Sequence, residues 1–127
     1  MVKTVKILGT NYKVHTNVPV TKDRDLTDRF GYCSHKERRI VVADLNTIES
    51  WANESEEVKS AQMKETLRHE IIHAFLNESG LMGSSATGVP WAMNEEMIDW
   101  FAIQLPKMMK IFEQLDCVEV RIWNYYF

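Results

Sequence analysis

Cysteine is scarce in this chain. Its 127 residues include two, Cys33 and Cys117, far apart in sequence. Small secreted scaffolds carry more, so a disulfide framework is not expected, although nothing forbids a single bridge. Glycine and proline are also few, at five and three, which excludes collagen-like and low-complexity classes. No apolar run approaches the roughly 20 residues of a membrane-spanning helix. The start, Met1-Val2-Lys3-Thr4-Val5-Lys6, lacks the apolar stretch of a secretion signal. A cytoplasmic protein with no membrane partner is expected, and the sequons at Asn53 and Asn77 are read as coincidence. Excess charge of one sign is missing too. Lys and Arg number 15 against 18 Asp and Glu, a net charge of −3, so nothing argues for nucleic acid as a partner. The chain has the length of one domain, residues 1–127, and can bury a core unaided.

Hydrophobic patterning sketches the elements. A hairpin is expected around Gly9-Thr10-Asn11, with strands near Val5–Leu8 and Tyr12–Thr16. Residues 21–36 are polar and read as a loop. Arg39-Ile40-Val41-Val42-Ala43 reads as a third strand. A long helix should follow, with Asn53 as cap, Glu56 at its third position, and an end at Gly80. Residues 80–90 hold three of the five glycines and read as a flexible connection able to gate a cleft. Pro90 suits the first turn of a second helix over Trp91–Leu105, and Pro106 should kink or end it. A helical stretch over Lys107–Leu115 and a strand in the tail, residues 118–123, complete an α+β chain. The four tryptophans and seven methionines are expected mainly in the core, with Trp91 at the edge of a cleft.

One pentapeptide carries chemistry. His69-Glu70-Ile71-Ile72-His73 lies inside the long predicted helix, so its imidazoles sit one turn apart on one face. Two neutral imidazoles so placed can grip one zinc ion. The intervening Glu70 stays beside the metal without ligating it, free to act as general base on a metal-activated water. Leu67, Ile71, Ile72, Phe75 and Leu76 make the segment apolar. A mostly buried helix is therefore expected, in which a histidine pair and a carboxylate need partners.

Catalytic zinc takes three protein ligands and keeps one position for water. His15, His35, Cys33 and the carboxylates beyond the motif are candidates for the third. Glu95 is the best of them. In Asn94-Glu95-Glu96-Met97-Ile98-Asp99, Glu95 and Asp99 are four apart and share a helix face. Asp99 can then accept the free ring N–H of a ligand histidine and fix its orientation. Glu96 is the alternative to Glu95, but lacks that spacing to Asp99. Glu78 falls on another face and reads as a solvent or capping carboxylate. A metzincin pattern fails, because it needs glycine at 76 and histidine at 79, where Leu76 and Ser79 stand.

His69-Glu70-Ile71-Ile72-His73 followed by Asn94-Glu95-x-x-x-Asp99 resembles the gluzincin pattern of zinc metallopeptidases. The short spacing, with Gly31-Tyr32 and the Arg39–Ala43 strand ahead of the motif, resembles ImmA/IrrE-type and phage-associated minimal metallopeptidases. The likeness spans about residues 30–105. It implies a small zincin-like α+β domain whose short sheet packs on the motif helix, with His69, His73 and Glu95 as metal ligands and Glu70 as the catalytic base. It also implies Asp99 as the support of a ligand histidine, Zn2+ as cofactor and a peptide or protein as substrate. The oxyanion-stabilising group of larger gluzincins has no evident counterpart. His15, Tyr12 and Tyr32 are candidates by chemistry alone and read better as structural. Three rivals stand beside peptidase activity: an inactive metal-binding or protein-interaction module of phage origin, a protease acting on one repressor, and a SprT-like protease acting on DNA-bound protein. The acidic balance counts against the last.

Overall fold

The computed structural model describes residues 1–81 and 91–118. Strands β1 (Val2–Ile7) and β2 (Thr10–Val18) form the hairpin; β1 starts three residues before the expected strand and stops one short of Leu8, and β2 extends beyond its expected bounds at both ends. The turn falls at Leu8 and Gly9, both at positive φ, one residue earlier than Gly9-Thr10-Asn11. Two-residue turns of that hand match strand twist, and glycine adopts it without strain. The segment read as a loop holds two single turns of 3-10 helix, Val20–Lys22 and Arg24–Leu26, and a missed strand, β3 (Gly31–Ser34). Strand β4 (Arg39–Ala43) follows. The sheet order is β1-β2-β4-β3, with β2 and β4 parallel and the other pairs antiparallel.

Both faces of the sheet are covered. Ile7, Tyr12, Val14, Ile40, Val42 and Ala74 form one buried cluster, joined by Cys33, Met63, Leu67 and Ile71. Leu26, Tyr32, Val41 and Ala43 form the other, under the 3-10 turns. That explains the unbroken apolar run in β4: a central strand buried on both faces needs no alternation.

A 3-10 turn (Leu45–Thr47) and a short helix, α1 (Glu49–Ala52), lead to the long helix α2 (Glu56–Glu78). Its cap is Ser55, whose hydroxyl accepts from the Val58 amide at 3.2 Å, and not Asn53, which stands at the C-cap just past α1. Gly80, at positive φ, lies just past the end. α2 is less buried than its apolar residues suggest: Lys59, Thr66, Glu70 and Ala74 are covered, while Phe75 is exposed. Lys59 is buried because its ammonium donates to Asn46 and the Ala52 carbonyl and pairs with Glu56.

A 3-10 turn, Trp91–Met93, precedes the last helix, α3 (Glu95–Gln114). The predicted second helix starts four residues late, because Asn94 caps α3 by accepting from the Met97 amide at 2.8 Å. Pro106 neither ends nor divides it: the two predicted helices are one. The missing N–H of Pro106 frees the Ala102 carbonyl one turn back, and Arg68 of α2 donates its Nε to that carbonyl at 2.6 Å. Trp100 corrects the expectation of buried tryptophans, being 52% exposed on the outer side of α3. Pro90, most of the 80–90 connection and the tail from residue 119 lie outside the described residues, as does the strand expected there. The fold class is α+β, as expected, and no described helix is long and apolar enough to cross a membrane.

Candidate metal centre

α2 lies across the sheet with Thr66, His69, Glu70 and His73 toward the edge strand β3. Gly31 allows the close approach: a Cβ there would stand 2.7 Å from the Thr66 methyl and 2.8 Å from the Val41 carbonyl. Both contacts are shorter than real Cβ atoms show, so any larger residue would push α2 off the strand. The resulting cleft, about 620 Å³, is lined by β3 on one wall and by α2 and α3 on the other.

The structure brings four of the expected site residues into contact. The Nε2 atoms of His69 and His73 are 3.2 Å apart. The Glu95 carboxylate bridges them, with Oε2 2.9 Å from His69 Nε2 and Oε1 3.0 Å from His73 Nε2. Asp99 Oδ1 lies 2.6 Å from His69 Nδ1. The imidazoles are half-buried, whereas Glu95 and Asp99 stand on the open side. Glu70 completes a group with the two histidines in which one ligand atom from each lies within 4.8 Å of the others.

The donor chemistry fits a cation. Asp99 accepts only when His69 carries its proton on Nδ1, which leaves Nε2 of the neutral ring as a lone pair. That lone pair faces one Glu95 carboxylate oxygen and a second imidazole. Burial, the largest influence, lowers the pKa of His73 against the opposing pull of Glu95. Acceptors turned on one another repel unless a positive charge sits among them. Tetrahedral zinc with bonds of 2.0–2.1 Å would separate its donors by about 3.4 Å, close to the spacing found.

Glu70 is 7% exposed. Desolvation by burial, the largest effect, raises its carboxyl from 4.5 to about 7; His69 and Arg29 oppose the rise, and Glu95 and Asp99 add to it. The other candidates stand elsewhere. Cys33 borders the cleft, but burial pushes its thiol up to about 12, so it stays protonated and ligates poorly. Both cysteines are free. His35 is exposed in the turn before β4, and His15 sits in β2 away from the cleft. Glu96 is exposed outside the cleft.

Neither tyrosine is available as an oxyanion donor. Tyr12 donates to Glu78 at 2.7 Å. Tyr32 donates to Asp23 at 2.6 Å and accepts from Arg39 at 3.0 Å. Glu78, read as a solvent or capping carboxylate, instead accepts from Thr10 at 3.1 Å and from Tyr12, tying the end of α2 to the hairpin. Residues 68 and 34 positions away in sequence supply such bonds, and no local pattern signals them. Arg29 is a cleft residue that sequence reasoning missed, for it lies in a polar stretch without a motif.

Comparisons with family models, with curated proteins and with solved structures give no match to this chain.

Proposed function

We propose that this chain is a zinc-dependent peptidase, a single gluzincin-type domain in which His69, His73 and Glu95 hold the metal. The observation that carries the reading is the triangle of two imidazole Nε2 atoms and one carboxylate, with sides of 2.9, 3.0 and 3.2 Å. It has the donor set and open side of a hydrolytic zinc site rather than a closed structural one. Bound zinc would supply Lewis acidity toward a peptide carbonyl and lower the pKa of water from 15.7 to about 7.

The chain's own residues do the rest. Glu70, to which no described residue donates a hydrogen bond, takes the proton of the attacking water and returns it to the leaving amine. Asp99 fixes the tautomer and orientation of His69. The outer edge of β3 pairs with no other described strand and borders the cleft, so an extended peptide can add there as a fifth strand.

The test is metal analysis with peptide hydrolysis. About one zinc per chain is expected, lost in His73→Ala and Glu95→Ala, while Glu70→Gln keeps the metal and loses at least 100-fold in kcat on an unfolded protein such as casein. Parental zinc affinity in Glu95→Ala would remove it from the ligand set. Parental activity in Glu70→Gln would remove the base.

A further inference from the structure

Among the described residues, five charged side chains line the cleft besides the histidines: Glu65, Glu70, Glu95, Asp99 and one cation, Arg29. The proposed chemistry uses Glu70, Glu95 and Asp99. Arg29 and Glu65 are left over. Arg29 leads into β3 two residues ahead of Gly31, the position packed against Thr66 and Glu70. It is exposed, and no ion pair among the described residues engages it. Its guanidinium carbon lies 6.0 Å from the Tyr32 ring centroid. That ring is itself held through its hydroxyl by Asp23 and Arg39.

A permanently charged fork of five N–H donors beside a fixed aromatic ring suits a carboxylate, which it meets with two parallel hydrogen bonds. Exposure decides which negative charge it meets. An oxyanion forming at the scissile carbonyl gains most from donors shielded from water. A solvated guanidinium at the cleft wall suits a charge that the substrate already carries.

We propose that Arg29 selects substrates bearing a carboxylate near the scissile bond, either an acidic side chain or a chain terminus. The inference rests on the peptidase reading of the site. Glu65, on the α2 wall of the same cleft, repels that carboxylate and limits the gain.

Matched peptides test it: Asp, Asn or Lys at each position around one cleaved bond, with free or amidated C-termini. The zinc-loaded parent should favour carboxylate over amide about fivefold in kcat/KM, carried by KM and shrinking with salt. Arg29→Gln should abolish that preference and Arg29→Glu should turn it toward Lys, with zinc content unchanged. The terminal amides assign the effect to side chain or terminus. Equal use of carboxylate and amide peptides by the parent overturns the proposal. So does an Arg29→Gln loss equal for carboxylate and amide peptides, as its pull on the Glu70 carboxyl alone would give. The same peptides are titrated onto zinc-loaded Glu70→Gln, where binding needs no hydrolysis. Carboxylate preference there, dependent on Arg29, sustains the selection even if the parent cleaves nothing, in which case only the peptidase reading fails. Its absence there overturns the selection.

Discussion

Glu70 is ordinary in sequence and costly in place. Below pH 4.5 its carboxyl is neutral in both folded and unfolded chains. Between 4.5 and about 7 the unfolded chain releases the proton while the fold retains it, so stability falls as pH rises through that window. Above it the full cost applies, on the order of 3 kcal/mol for a shift of this size. Glu70→Gln in the metal-free protein should therefore be more stable than the parent by about that amount near pH 8, and equal to it near pH 4. Urea unfolding at the two pH values measures this, and identical midpoints near pH 8 would falsify the burial account.

At the scale of the element, Arg68, Ala102 and Pro106 form one device. A proline inside a helix normally leaves a carbonyl without a partner, and here a guanidinium from the neighbouring helix takes it. Hydrogen bonds from charged donors contribute about 1.5–3 kcal/mol. Arg68→Met should cost that much and also weaken zinc binding, since α3 carries Glu95 and Asp99. Pro106→Ala restores a helical N–H to the same carbonyl. Arg68→Met should then cost clearly less in the Pro106→Ala background, a coupling that a double-mutant cycle by thermal or urea unfolding reads directly. Additive effects would show that the two residues act apart.

Elements also show what was legible. Spacings of four residues within a helix are local, so the pairing of His69 with His73 and of Glu95 with Asp99 could be read before any fold was known. The strand Arg39–Ala43 was equally plain, since the four consecutive β-branched or apolar residues after Arg39 need no context. β3 was not legible: Gly31-Tyr32-Cys33-Ser34 has neither length nor alternation, and pairing with β4 makes it a strand. Pro106 misled because its cost is met by a residue on another helix. Glu78 misled and Arg29 went unread because their surroundings are assembled from distant parts of the chain.

For the molecule as a whole, the proposed metal joins two helices that the chain connects through residues 79–94. A ligand that binds only the folded state stabilises it by RT ln(1 + [L]/Kd), about 4 kcal/mol at a thousandfold excess over Kd. Chelation should accordingly lower the melting temperature by several degrees, and re-addition of zinc should restore it. The effect should vanish in His73→Ala, which calorimetry with and without chelator can establish. A melting temperature indifferent to chelator in the parent would mean that no ion bridges α2 and α3.

α2 rests on the sheet along much of its length, whereas α3 packs chiefly on α2. The two halves of the donor set therefore ride on supports of unequal firmness. The imidazole pair is bolted to the frame and the carboxylates hang on a door, for which the proposed ion would be a latch beside the Arg68–Ala102 bond. Release of the ion should then begin at the door, with α3 amides exchanging with solvent while the strands stay shut.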